Sequence, residues 1–182
     1  MLTANRDYFC THNCYIIVLQ QSCQIILPRT YITAVNDGVL RALIDKIPDD
    51  TFKKEILGPT VGIEPQEGLI FAPCDGTLSH VINTKHAVTI LAKDGAQILV
   101  HVGIDTVKLK GEFFESLVGN NVQVKQGQPL IKFDNEAIKA KGFSTLVTMV
   151  VCNAKNFKAV EKSGNLGNVD NTQVLFTITA NA

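Results

Sequence analysis

The sequence predicts an all-β protein, an antiparallel sandwich or barrel with one or two short helices. Three observations carry that prediction. From Tyr31 onward, short β-rich segments alternate with turn chemistry at Asn36-Asp37-Gly38, Asp75-Gly76, Asp94-Gly95, Gln126-Gly127 and Ser163-Gly164. That spacing suits many short strands joined by tight turns, and few stretches keep a helical period. The segment TAVNDGVLRALI at 33–44 is echoed by FAPCDGTLSHVI at 71–82, each with an Ala, then Asp-Gly, then a β-run. Two related β-units packed together are expected.

Composition sets the limits. With 182 residues, 46% of them apolar, the chain can bury the core of one domain plus an appendage. Lys plus Arg and Asp plus Glu number 17 each, so no net field draws nucleic acid or an anionic membrane, and neither is an expected partner. Five cysteines, Cys10, Cys14, Cys23, Cys74 and Cys152, form no Cys-x-x-Cys pair and no zinc-spaced Cys/His cluster; they read as reduced thiols.

Taken in order, residues 1–30 lack the rhythm of the rest and read as a leader or linker, with CYIIVL as an extra strand in a rival reading. The apolar run YIIVLQQSCQIIL is interrupted by polar residues and too short to cross a bilayer, and MLTANRDYFC lacks the basic front of a secretory signal. Residues 31–182 form the expected domain. Within it DDTFKKEIL reads as a helix capped by Asp49 or Asp50 and ended by Gly58, and NEAIKAKG as a helix stopped by Gly142.

Between these, INTKHAVTILAKDGAQILVHVGI at 82–104 reads as a hairpin turning at Lys93-Asp94-Gly95. With Asp94-Gly95 as a two-residue loop, His101 faces Val88 and His86 faces Gly103; with Lys93-Asp94, the two histidines lie opposite each other. Either register puts both imidazoles on one face, roughly 5–8 Å apart by backbone spacing, and an odd-length loop would separate them. Thr84 falls on the same face, where its hydroxyl would hold a ring nitrogen of His86. Gly103 leaves space beside His101, and Asp105 continues the face. Ile98, Val100 and Val102 point the other way, into the core.

Two histidines on one face admit several chemistries. A zinc site needs further ligands, and neither His-x-His nor His-x-x-x-His occurs. The Gly-x-Ser-x-Gly frame of a serine hydrolase is absent. GNNVQVKQGQPLIKF has the hairpin rhythm of biotinyl or lipoyl carriers, but the chain has no Met-Lys-Met or Asp-Lys-Ala. Covalent histidine chemistry is left: one imidazole nitrogen attacks phosphorus while the second donates to the phosphoryl oxygens.

The segments APCDGTLSHVINTKHAV, GAQILVHVGIDTVKLKGEFFESLV and VKQGQPLIKFD together resemble the glucose-class enzyme IIA of the bacterial phosphoenolpyruvate-dependent sugar phosphotransferase system. The resemblance spans about Tyr31 to Ala182 and implies a β-sandwich, a barrel-sandwich hybrid, built from two related halves. It implies a cytoplasmic phosphotransferase without cofactor, associating peripherally with a membrane permease. His101 would be phosphorylated by the histidine-containing phosphocarrier protein and pass the group to a cysteine of a IIB domain. His86 would support the phosphoryl group, and Thr84 would orient His86.

A rim of Asp49, Phe52, Ile56, Ile82, Leu99, Gly103, Asp105 and Val107 would dock both partners, its apolar residues excluding water during transfer. The resemblance further implies that the unphosphorylated form binds transporters or enzymes in some members. It also implies that His86 and His101 would hold zinc only together with a partner's carboxylate. Val35, Thr51, Pro59-Thr60 and Ile82 depart from the family's usual text, and bear on the rim alone.

Overall fold

The computed structural model describes residues 16–19, 22–25, 28–41, 50–164 and 167–181. In chain order the first strands are β1 (Ile16–Leu19), β2 (Ser22–Ile25), β3 (Arg29–Thr33), β4 (Gly38–Arg41), β5 (Thr60–Pro65), β6 (Leu69–Phe71), β7 (Gly76–Val81) and β8 (Ala87–Ala92). There follow β9 (Gln97–Val102), β10 (Phe114–Ser116), β11 (Val122–Val124), β12 (Pro129–Phe133), β13 (Val147–Val151), β14 (Ala159–Lys162), β15 (Gly167–Val169) and β16 (Val174–Thr179). Among the described residues the α-helices are α1 (Asp50–Lys53) and α2 (Asn135–Ala140).

An eight-stranded antiparallel sheet runs β11-β7-β8-β9-β13-β5-β4-β15, flanked by two three-stranded sheets, β10-β12-β6 and β14-β16-β3. The order is symmetric about the β9/β13 pair, and hydrogen bonds explain why. Thr33 N donates to Pro73 O (2.9 Å) and Phe71 N to Val35 O (2.6 Å), so the two echo segments meet each other across buried Ala34 and Ala72. Ala34 N donates to Gln173 O and Ala72 N to Gln128 O, both at 2.8 Å. The two aspartates repeat the pattern: Asp37 accepts from Asn171 N at 2.8 Å and Asp75 from Gln126 N at 3.0 Å. After each, a glycine lets the next strand pass close to its neighbour. A Cβ on Gly38 would lie 2.4 Å from Glu64 O, and one on Gly76 2.3 Å from Leu91 O. The echo is a duplication of the fold.

Alternation then sorts the side chains. Ile98, Val100 and Val102 of β9 face the main core with Ile63, Leu78, Ile90, Met149 and Phe176. Leu99 lies on the other face against a smaller cluster of Phe52, Ile104, Leu146 and Val150. That second cluster holds α1 on the sheet.

Two expectations change, the length of the first helix and the register of the hairpin. Within the stretch read as a leader, β1 and β2 form an antiparallel pair from Ile16↔Ile25 to Leu19↔Ser22, a pair that joins no other described strand. The rival reading of CYIIVL as a strand is met over Ile16–Leu19. The first helix is shorter than its sequence pattern, because Glu55 adopts φ 51°, outside the helical region, and Gly58 follows at φ 133°. α2 behaves as expected, with Asp134 accepting from Ala137 N at 2.9 Å as its cap and Gly142 at φ 84° beyond its end.

The hairpin carries the largest change. Its loop has three residues, Lys93 to Gly95, with Gly95 at φ 89°, Gly95 N bonded to Ala92 O and Ala92 N to Ala96 O. This is a turn followed by a left-handed bulge residue, the usual three-residue alternative to a two-residue hairpin. The register becomes Ala87↔His101 and Val88↔Val100. Neither two-residue register is formed.

Candidate functional site

In the observed register His86 lies one step beyond Ala87, and its carbonyl accepts from Val102 N at 2.7 Å. A straight strand would point its side chain away from His101. The chain is not straight there: Lys85 sits at φ 58°, and Ile82 N bonds to Ala87 O while Lys85 N bonds to Ile82 O, closing a turn that His86 leaves. The two imidazoles meet with ring centroids 4.7 Å apart at 80°.

Each ring is fixed from behind. His101 Nδ1 lies 2.8 Å from Gly103 O; a carbonyl only accepts, so Nδ1 carries the proton and the neutral ring keeps its lone pair on Nε2. His86 Nδ1 lies 2.7 Å from Thr84 Oγ1. The Phe52 ring packs on His101 at 5.3 Å, and Phe114 on His86 at 6.3 Å. His86 is 3% exposed. Burial pushes its imidazole below the ordinary histidine range, against a weaker opposing hydrogen bond to the Thr84 main chain, so the ring is neutral at pH 7.

That shift makes a prediction about stability. The unfolded chain binds a proton on His86 near the ordinary pKa of about 6.5, whereas the folded chain does so only at lower pH. Between the two values the unfolded state holds more protons, so stability is lost as pH falls through that window and is regained above it. His86→Gln is expected to flatten that part of the stability curve, read by denaturant melts between about pH 5 and pH 7. An unchanged acid slope in the variant would place the titrating group elsewhere.

Gly103 is placed differently from its expected role. It is buried, at φ 78°, and a Cβ there would come 2.4 Å from Thr106 Cγ2 and 2.5 Å from Ser144 O. The residue opens no space for a partner: it lets the chain turn after β9 and offers its carbonyl to His101. Gly103→Ala is expected to cost roughly 2 kcal/mol or more of stability by combining a left-handed φ with that overlap. Urea denaturation measures it.

The other rim residues divide. Phe52 is buried at 6% exposure, so it belongs to the wall behind His101, whereas Ile56 is 67% and Val107 53% exposed. Ile82 and Leu99 are half-buried, and exposed Asp105 pairs with Lys108 at 2.7 Å. Asp49 lies outside the described residues. The sequence reading missed the floor of Ile104, Leu146 and Val150. Leu146 and Val150 stand two strand-periods apart in STLVTMVV, but which face they share with His101 follows only from the β9/β13 pairing, Thr148↔His101 and Val150↔Leu99.

Two imidazoles alone are an incomplete metal set. Among the described residues no helix is long and apolar enough to cross a membrane.

The arrangement is therefore a half-buried imidazole with its Nε2 lone pair available beside a second, buried imidazole, over an apolar floor. The sequence pattern of the phosphoenolpyruvate-dependent sugar phosphotransferase system EIIA 1 family matches residues 30–157. The chain belongs to this family. It is 42% identical over 120 residues to the glucose-specific EIIA component of Buchnera aphidicola, a match covering 66% of this chain and 74% of that protein. To the glucose-specific EIIA component of Bacillus cereus it is 41% identical over 118 residues, 65% of this chain and 72% of that one. The β-glucoside-specific EIIBCA component of Dickeya chrysanthemi is 37% identical over 128 residues, which is 70% of this chain and 20% of that longer protein. The solved glucose permease IIA of Mycoplasma capricolum superposes with a TM-score of 0.73 at 30% identity, covering 82% of this chain and 96% of its own. As an EIIA component of the glucose class, the chain is a phosphoryl carrier in sugar uptake.

Proposed function

We propose that His101 is the residue that carries the phosphoryl group, accepting it on Nε2 from the histidine-containing phosphocarrier protein and yielding it to a cysteine of a IIB domain. The observation that supports this most directly is the 2.8 Å bond from Nδ1 to Gly103 O, which dedicates Nε2 to attack. As the Nε2–P bond forms, the donor's N–P bond breaks and its electron pair leaves with the donor imidazole. In the onward step the pair returns to His101 as a thiolate takes the phosphorus.

His86 stands beside this nitrogen as the donor to the phosphoryl oxygens. With the Thr84 hydroxyl donating to its Nδ1, the neutral ring carries its proton on Nε2, the nitrogen free of that bond. Ile56, Val107 and half-buried Leu99 and Ile82 supply apolar contact, which keeps water from the labile N–P bond while a partner is docked. Asp49 and Asp105 are its acidic members. The unit would be residues 31–182, with 1–30 a leader or linker, working in the cytoplasm against a membrane permease.

Incubation with the general phosphotransferase components and labelled phosphoenolpyruvate is expected to give an acid-labile, base-stable phosphohistidine that maps to His101. Label on any other residue would overturn the assignment.

A further inference from the structure

α1 carries Phe52, buried against His101, and just beyond its end stands Ile56, an exposed residue of the surface proposed above. Four residues are too few to hold a helix by themselves, so the position of this segment comes from its attachments. One is apolar, Phe52 on the small cluster. The other is polar and centres on Glu55. Its carboxylate Oε1 accepts from Thr60 N at 3.2 Å and from Lys162 Nζ on β14, 107 residues away in sequence. Both side chains of that pair are more than half shielded, at 35% and 40% exposure. Close by, Gly58 N bonds to Glu55 O at 3.0 Å, and a Cβ on Gly58 would lie 2.2 Å from Val151 O, so the strand-ward end of the segment is pinned. The other ion pair of the segment, Lys54 with Asp50, is 64% and 69% exposed and ties the helix only to itself.

We propose that Glu55 is a positioning residue for phosphoryl transfer. Its ion pair with Lys162 couples α1 to the β14-β16-β3 sheet and sets where Phe52 and Ile56 stand when a partner protein docks. Glu55 sits at a left-handed φ of 51°, and from that turn its carboxylate reaches both Thr60 N and Lys162 Nζ. The inference rests on the reading of this surface as the docking face, and it assigns Glu55 and Lys162 no contact with the phosphoryl group.

The test is steady-state transfer from the phosphorylated histidine-containing phosphocarrier protein to Lys162→Met, Lys162→Arg and Glu55→Gln. For Lys162→Met and Glu55→Gln the expected result is a KM raised about threefold or more with kcat unchanged, a direct loss of docking without loss of chemistry. Lys162→Arg should keep the wild-type KM. The swap Glu55→Lys with Lys162→Glu should recover part of it, which separates the pair from either side chain alone. A wild-type KM in folded Lys162→Met, or a fall in kcat with KM unchanged, would overturn the inference. Failure of the wild-type chain to be phosphorylated on His101 would instead overturn the functional reading beneath it.

Discussion

If His101 is the carrier proposed above, His101→Ala is expected to accept the phosphoryl group at least about a thousandfold more slowly than wild type, because the nitrogen that would attack is removed and His86 is held in place by its own contacts. His86 is the nearest imidazole, yet it is 3% exposed, with its Nδ1 on the Thr84 hydroxyl and its ring against Phe114. It cannot turn to meet an incoming phosphorus without breaking those contacts. Folding should survive the change. His101 is half-buried, and removing its ring takes a contact from Phe52, a loss of roughly 1–2 kcal/mol. Phosphoryl transfer from labelled phosphoenolpyruvate, with a thermal melt on the same sample, separates the two effects. Labelling at the wild-type rate would show that another residue is the carrier.

His86→Gln has the second largest expected effect, and it is asymmetric. In the accepting step the nucleophile is a neutral imidazole, and the donor protein contributes to the charge on the departing side. In the onward step a thiolate approaches a phosphoryl group that is already negative, so a hydrogen-bond donor on the phosphoryl oxygens matters more. A glutamine amide still donates, but it stands elsewhere and is weaker than an imidazole N–H. Losing a well-placed donor costs about 10²–10³ in rate where charge is concentrated in the transition state. The variant should therefore take up label close to the wild-type extent and pass it to a IIB domain about 10²-fold more slowly. Rapid-quench measurement of both half-reactions distinguishes this from a general loss of structure. Equal impairment of both would mean that His86 shapes the site without assisting departure of the phosphoryl group. Thr84→Val should reproduce part of the onward defect through the tautomer, since it leaves the ring in place and removes only the hydroxyl at 2.7 Å.

Much of this site was legible before any coordinates. The alternation of Ile98, Val100 and Val102 against Leu99 and His101 fixes which half of β9 is core, because neighbouring side chains on a strand must point to opposite faces. The echo of Asp-Gly segments predicts the duplication, since equivalent turns need the same acceptor and the same missing side chain. Thr84 and His86, two residues apart, read as neighbours, and the turn at Lys85 keeps them so. Those features are local, and local geometry depends on few neighbours.

What only the tertiary structure decided is non-local. Lys93-Asp94-Gly95 can close as a two- or a three-residue loop; the observed three-residue turn shifts the register by one and would by strand parity alone have parted the histidines. The turn at Lys85, φ 58°, brings them together again, and a left-handed lysine has no sequence signature of its own. Phe52 passes from an expected exposed rim to a buried wall because α1 lies on Val150 of β13 and on Leu146 just before it, almost a hundred residues later in the chain. Gly103 turns out to be required by the closeness of Thr106 and Ser144. The sequence by itself determined which residue types could do the chemistry and which face of β9 His101 occupies. Their meeting at 4.7 Å was decided by chain reversal and cross-strand packing, because distance between segments is set by the neighbours each one finds.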